Sequence, residues 1–155
     1  MDISQLWELL SEVFFVGRVS SVDASTCSAI VIMPDADNKT TAPLTVGQRG
    51  SKSTKDFWLP AVDDQVLCMR LPNKSGKGFD SGVVICTLYS EVDMPPSGAS
   101  DNTRVLDTPG NLTIKVGGTL NLTSGSGDVI VNGISLVNHT HGGVLPGGGT
   151  TGKPI

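Results

Sequence analysis

At 155 residues the chain has room for one ordinary domain, or for a small domain with an extension. Its 19 Gly and 9 Pro, with 17% charged and 5% aromatic residues, favour a turn-rich all-β protein over a helical or disordered one. The net charge of -4, with Lys and Arg scattered, argues against a nucleic-acid surface, and no apolar run reaches the ~18–20 residues of a membrane-crossing helix.

Residues 2–13 predict a short helix. Asp2 stands three residues before Gln5, a capping-box spacing, and Ile3, Leu6, Trp7 and Leu10 form one apolar stripe. The charged residues of this segment are acidic (Glu8, Glu12), so the stripe is expected to pack on protein and not on a membrane surface. MDISQLWELL has no basic stretch before its apolar residues, so it does not read as a signal peptide, and synthesis in the cytoplasm is expected.

From Phe14 to about Ser90 short strands follow one another. VFFVGRVSSVD (13–23) and TCSAIVIMPD (26–35) predict a hairpin, and TAPLTVG (41–47) a third strand. After the polar loop 50–56, WLPAVDDQVLCMRLP (58–72) predicts a turn and a strand. KSGKGFDSG (74–82) reads as a loop and VVICTLYS (83–90) as the closing strand, a spacing that suits a small barrel or sandwich. Cys27, Cys68 and Cys86 lie in these runs and read as small buried hydrophobes in a reducing compartment. Phe14, Phe15, Phe57, Trp58, Phe79 and Tyr89 read in large part as core.

DMPPSGASDN (93–102) breaks the composition and reads as a linker. Beyond it Leu112, Ile114, Val116, Leu120 and Leu122 occupy alternate positions, and the phase shifts to Val129 and Val131 and again, at Asn132-Gly133, to Ile134 and Leu136. The pattern predicts a ribbon with one apolar and one wet face. Alone, such a ribbon cannot offset the entropy of its own ordering. Three copies wrapped around an axis would turn every apolar face inward and pair the edges between chains. A small β-meander on the preceding domain is the other arrangement the pattern allows.

The chain's two histidines, His139 and His141, follow at once in HTHGG. In a strand, residues i and i+2 face the same way, so one chain offers two imidazoles to a transition metal. Two ligands make an incomplete site, which symmetry can complete.

The order of helix, GRVSSVD…CSAIVIMP, LPAVDDQVLCMRLP…GVVICTLY, Gly/Thr/Asn/Val ribbon and VNHTHGGVLPGGGTTGKP resembles the baseplate assembly protein V family. That family forms the central spike of contractile-tailed phages and of phage-tail-like bacteriocins. The resemblance implies an all-β homotrimer: N-terminal helix (1–13), OB-fold (14–92), linker (93–104), intertwined triple-stranded β-helix (105–137) and apex (138–155). It further implies a non-enzymatic spike at the tail tip of the virion, assembled in the host cytoplasm. The N-terminal domain would fasten it to the baseplate hub and the apex would puncture the bacterial outer membrane. His139 and His141 of three chains would hold one iron ion per trimer. Some relatives also carry calcium or chloride on the axis; no ligands are assigned to those here, Asp128 being the only acid of the ribbon after Asp107.

The chemistry of the residues agrees with a structural ion. Residues two apart on a strand are separated by ~6.6–6.8 Å, so three chains would stack two rings of imidazoles, a donor set suited to an octahedral ion. A catalytic site needs an open position and an activated water; six imidazoles leave none, and Gly142, Gly143, Val144 and Leu145 add no ligand. GGGTTGK (147–153) matches a phosphate-loop spacing, but Pro154 stands where Ser or Thr is needed. The alternative function is an OB-fold binding module, for nucleic acid or protein, with an incidental His pair. For nucleic acid it would require a basic groove with stacking aromatics. The lysines concentrate in loops 50–56 and 73–82, where they read as solvated.

Overall fold

The structure is a computed structural model that describes residues 2–74, 78–140 and 147, and the chain divides into two units after Asp107. Among the described residues no helix is long and apolar enough to cross a membrane.

The first unit opens on α1 (Ile3–Val13). Asp2 is extended; its carboxylate accepts the Ser4 N–H at 3.1 Å while Gln5 Oε1 accepts the Asp2 N–H at 3.1 Å, the reciprocal cap expected from the sequence. The helix stops at extended Phe14, where the β-forming run begins. Its stripe is not covered within the chain: Ile3 is 76% and Trp7 70% exposed, so the expected packing on protein is not made here.

Five strands close a barrel. β1 (Phe14–Asp23) pairs antiparallel with β2 (Ser28–Met33) along its second half and with β5 (Gln65–Pro72) along its first. β2 also pairs with the two-residue β3 (Lys39–Thr40) and with β4 (Leu44–Val46). β4 runs parallel to β6 (Phe79–Leu88), which returns antiparallel to β5. The circuit β1-β2-β4-β6-β5-β1, with a single parallel pair, is the Greek-key route of an OB-like barrel. A register shift between Val19 and Ser21 lets one long strand serve two neighbours, as bulges do at barrel corners.

The core is small and β-branched. Val19, Val31, Val46, Val66 and Val84 are fully buried with Ala29, Leu44 and Cys68, and each such valine is worth ~1.5–3 kcal/mol. Phe15, Cys27, Trp58 and Leu59 pack over them. The long β4–β5 connection is pinned without a helix. Gln48 and Trp58 exchange hydrogen bonds (Trp58 N–H to Gln48 Oε1 and Gln48 Nε2 to Trp58 O, both 2.9 Å), and Trp58 Nε1 donates to Gly47 O at 2.8 Å. Gly17 sits where a side chain cannot: an added Cβ would lie 2.5 Å from the Ile32 carbonyl oxygen. Gly17→Ala is therefore expected to cost ~1–3 kcal/mol, read as a lower melting temperature of the barrel. An unchanged melting point would mean that β1 and β2 can separate freely.

Several expectations are corrected. β6 begins at Phe79, inside the predicted loop 74–82, because Pro72 to Met69 on β5 offer it partners. Residues 75–77, Lys77 among them, lie outside the described residues. Phe14, Phe57 and Tyr89 are exposed and not core, since the narrow barrel is filled by valines. Cys27 is not in a strand but in the β1–β2 turn, at φ 52°. Cys68 is buried, and desolvation pushes its thiol up to about 12, with Cys86 nearby adding to the rise.

In the second unit, residues 108–129 form no ladder within the chain, so the alternating segment is not paired with itself. Leu112, Ile114, Val116, Leu120 and Leu122 are between 49% and 64% exposed. Among the described residues of this unit only β7 (Ile130–Val131) and β8 (Ile134–Ser135) pair, as a hairpin.

Candidate functional site

The hairpin is a two-residue turn at Asn132 (φ 50°) and Gly133 (φ 80°). Two successive positive φ values match the right-handed strand twist, and Asn-Gly is the pair that tolerates them. The phase shift seen in the sequence at these residues is this turn.

Asp128 ties the hairpin's two ends together. One carboxylate oxygen accepts the N–H of Val129 at 2.7 Å and that of Val137 at 3.3 Å. Leu136 N–H donates to Val129 O at 3.0 Å, and Asn138 N–H to Ser135 Oγ at 2.6 Å. The Ser135 hydroxyl is the main cause that holds the Asp128 carboxyl below its ordinary value, with backbone N–H groups and Asn138 adding to it. The one acid of the ribbon after Asp107 is thus engaged with its own backbone. It is a residue the sequence reading missed as a positioning group, although Asp128 and Ser135 bracket an Asn-Gly pair.

Because the folded carboxyl is depressed, its contribution to the hairpin is complete above the unfolded value of ~3.9 and is lost as pH falls through the lower folded value. Ser135→Ala should move the Asp128 midpoint upward in a carboxyl-carbon NMR titration. A midpoint unmoved by that change would remove the hydroxyl from the account.

His139 emerges directly from this structure. Leu136–Asn138 form a turn, and His139 and Thr140 follow it exposed, so His139 is not on a strand in the single chain as the two-residue facing argument assumed. His141 and Gly142–Leu145 lie outside the described residues, as does the GGGTTGK stretch beyond Gly147. Among the described residues no three His, Cys, Asp or Glu side chains come together to hold a metal ion. One chain supplies at most two imidazoles, so the donor set fits an ion only when several chains contribute.

Residues 133–154, from the hairpin turn through both histidines into the tail, match the family model described as the GpV Apex motif. Among curated proteins none matches the chain. The motif begins at the glycine of the turn and fits a β-helix spike, a structural element of a phage. It supports a GpV-like phage baseplate spike protein, the kind that the order of barrel, ribbon, HxH and Gly/Pro tail resembles.

Proposed function

We propose that this chain is the membrane-piercing spike of a contractile tail, a homotrimer borne at the tip of the tail tube. The observation that carries the reading is the GpV Apex motif placed directly after a ribbon whose apolar side chains find no cover within their own chain. Three ribbons wound around one axis would bury Leu112, Ile114, Val116, Leu120 and Leu122 against each other and satisfy their backbone groups between chains. That explains why a single chain has no ladder there: the partners of each strand are other copies.

In this reading helix and barrel fasten the spike to the baseplate hub, and the wound ribbon carries the force of contraction to a narrow end. His139 and His141 from three chains would hold one iron ion, and the ion supplies a cross-tie among chain ends that otherwise fray. Asp128 and Ser135 set the hairpin from which His139 leaves, so they position the ligand without touching the metal. Force concentrated on a small area would breach the outer membrane of the target cell without any reaction.

Sedimentation combined with elemental analysis tests the proposal. Three chains and about one iron ion per particle are expected, one octahedral shell needing six imidazoles. A folded monomer at micromolar concentration would overturn it.

A further inference from the structure

We propose that the cleft at Arg70 on the barrel receives an acidic side chain of a protein partner, its carboxylate bound by the guanidinium and by the hydroxyls of Thr40, Thr41 and Ser81. Val66, Cys68 and Arg70 alternate along β5; the first two are core, and Arg70 is half-buried at the end of the same row. Its guanidinium carbon lies 4.9 Å from the Phe15 ring centroid and 5.4 Å from that of Phe79. Nη2 donates to Met33 Sδ at 2.7 Å, and a thioether is a weak acceptor.

The ion pairs the structure gives are Arg18–Asp63 and Arg49–Asp56, and Arg70 is in neither; the side chain of Asp80 lies outside what is described. Asp35 lines a neighbouring cleft with Phe14, Phe15 and Arg70, yet forms no ion pair with it. The two rings and Met33 hold the guanidinium, and the N–H groups not given to Met33 can meet a carboxylate.

The cleft beside it, of about 250 Å³, has Met33, Thr40, Thr41, Arg70, Phe79 and Ser81 in its lining, with Ala42 and Leu44. Thr41 Oγ1 accepts the Val31 N–H at 3.1 Å, so its own proton is left to donate outward. One pinned cation, three hydroxyls and apolar walls suit a single carboxylate on an aliphatic stem. A nucleic-acid backbone would need a row of cations, and the chain's net charge of -4 opposes one. Arginine among aromatic residues is also the composition of interface hot spots. The proposal stands on the barrel alone and is independent of the trimer and its metal.

The test is an NMR titration of the full ¹⁵N-labelled chain with a capped tetraglutamate peptide at low salt. Saturable shifts are expected at the Arg70 Nε–H and at the amides of Thr41 and Ser81, weakened by salt. Arg70→Gln should lower the affinity about tenfold or more, the worth of a hydrogen bond to a charged group. Arg70→Lys should fall between, keeping the charge and losing the guanidinium N–H groups. Unchanged Val19 and Val84 methyl shifts establish that the Gln variant is folded; should it unfold, Thr41→Val with Ser81→Ala reads the same loss. Absence of shifts, shifts elsewhere, or binding undiminished in the folded variants would overturn the proposal. Tighter binding of single-stranded oligothymidylate in this cleft would overturn it in favour of a nucleic-acid site.

Discussion

Leu122→Asp is expected to abolish the trimer, leaving a chain whose barrel still folds. In the proposed assembly Leu122 of each copy faces one axis, so the substitution brings three carboxylates together out of water. Each buried, unpaired charge costs several kcal/mol after relaxation, and mutual repulsion adds to it. The total is comparable with the ~5–15 kcal/mol that holds a whole domain together. The barrel should survive, since its buried valines all lie before Asp107 in a unit with its own core. Sedimentation and far-UV circular dichroism read the two parts separately. A heat-resistant trimer in this variant would show that the ribbon's faces are inverted, with Leu122 outward.

The second large effect is on metal. His139→Ala together with His141→Ala should take the iron content from about one per trimer to none, because in the proposed assembly all six imidazoles of the shell would come from these positions. The particle should nevertheless remain a trimer. The proposed site would lie beyond the last apolar residues of the ribbon, so its loss would fray an end and not empty a core. The hairpin is held by Asp128 and the Asn132-Gly133 turn, and the amide shifts of Val129 and Val137 should persist. Metal retained by the double variant would mean that the ion is held elsewhere. Three ions per trimer in the parent protein would replace the shared site with one per chain.

The local devices were legible in the residues, and for a common reason. The Asp2–Gln5 cap, the end of α1 at Phe14 and the alternation along β1, β2, β4 and β5 depend on contacts a few residues apart, and such contacts leave a periodic signature. The start of β6 did not, because Gly78, Asp80 and Gly82 read as loop, and only the facing strand β5 makes Phe79–Gly82 extended. The aromatic residues misled similarly. Periodicity says that Phe14 and Phe15 face opposite ways, but barrel closure decides that Phe15 packs over the core and Phe14 stands in solvent.

At the candidate site the division is similar. HTHGG after a ribbon pointed to two ligands in need of symmetry, and the match over residues 133–154 falls on that segment. The role of Asp128 went unread, since its partners Val129, Ser135 and Val137 are gathered only by the turn, whose sole trace in the residues is the Asn-Gly pair between Asp128 and Ser135.

By itself the sequence determined the helix and its cap, the half-polar strands, the Asn-Gly reversal and the position of the two histidines. Each is a property of neighbouring residues, whose spacing the backbone geometry fixes. Only the tertiary structure decided that β1 closes the barrel against both β2 and β5, and that β4 and β6 run parallel. The same holds for Phe15, Met33, Arg70 and Phe79, which meet around one guanidinium. Those groups lie far apart along the chain, and what joins them is the burial of one valine core that no single segment can form alone.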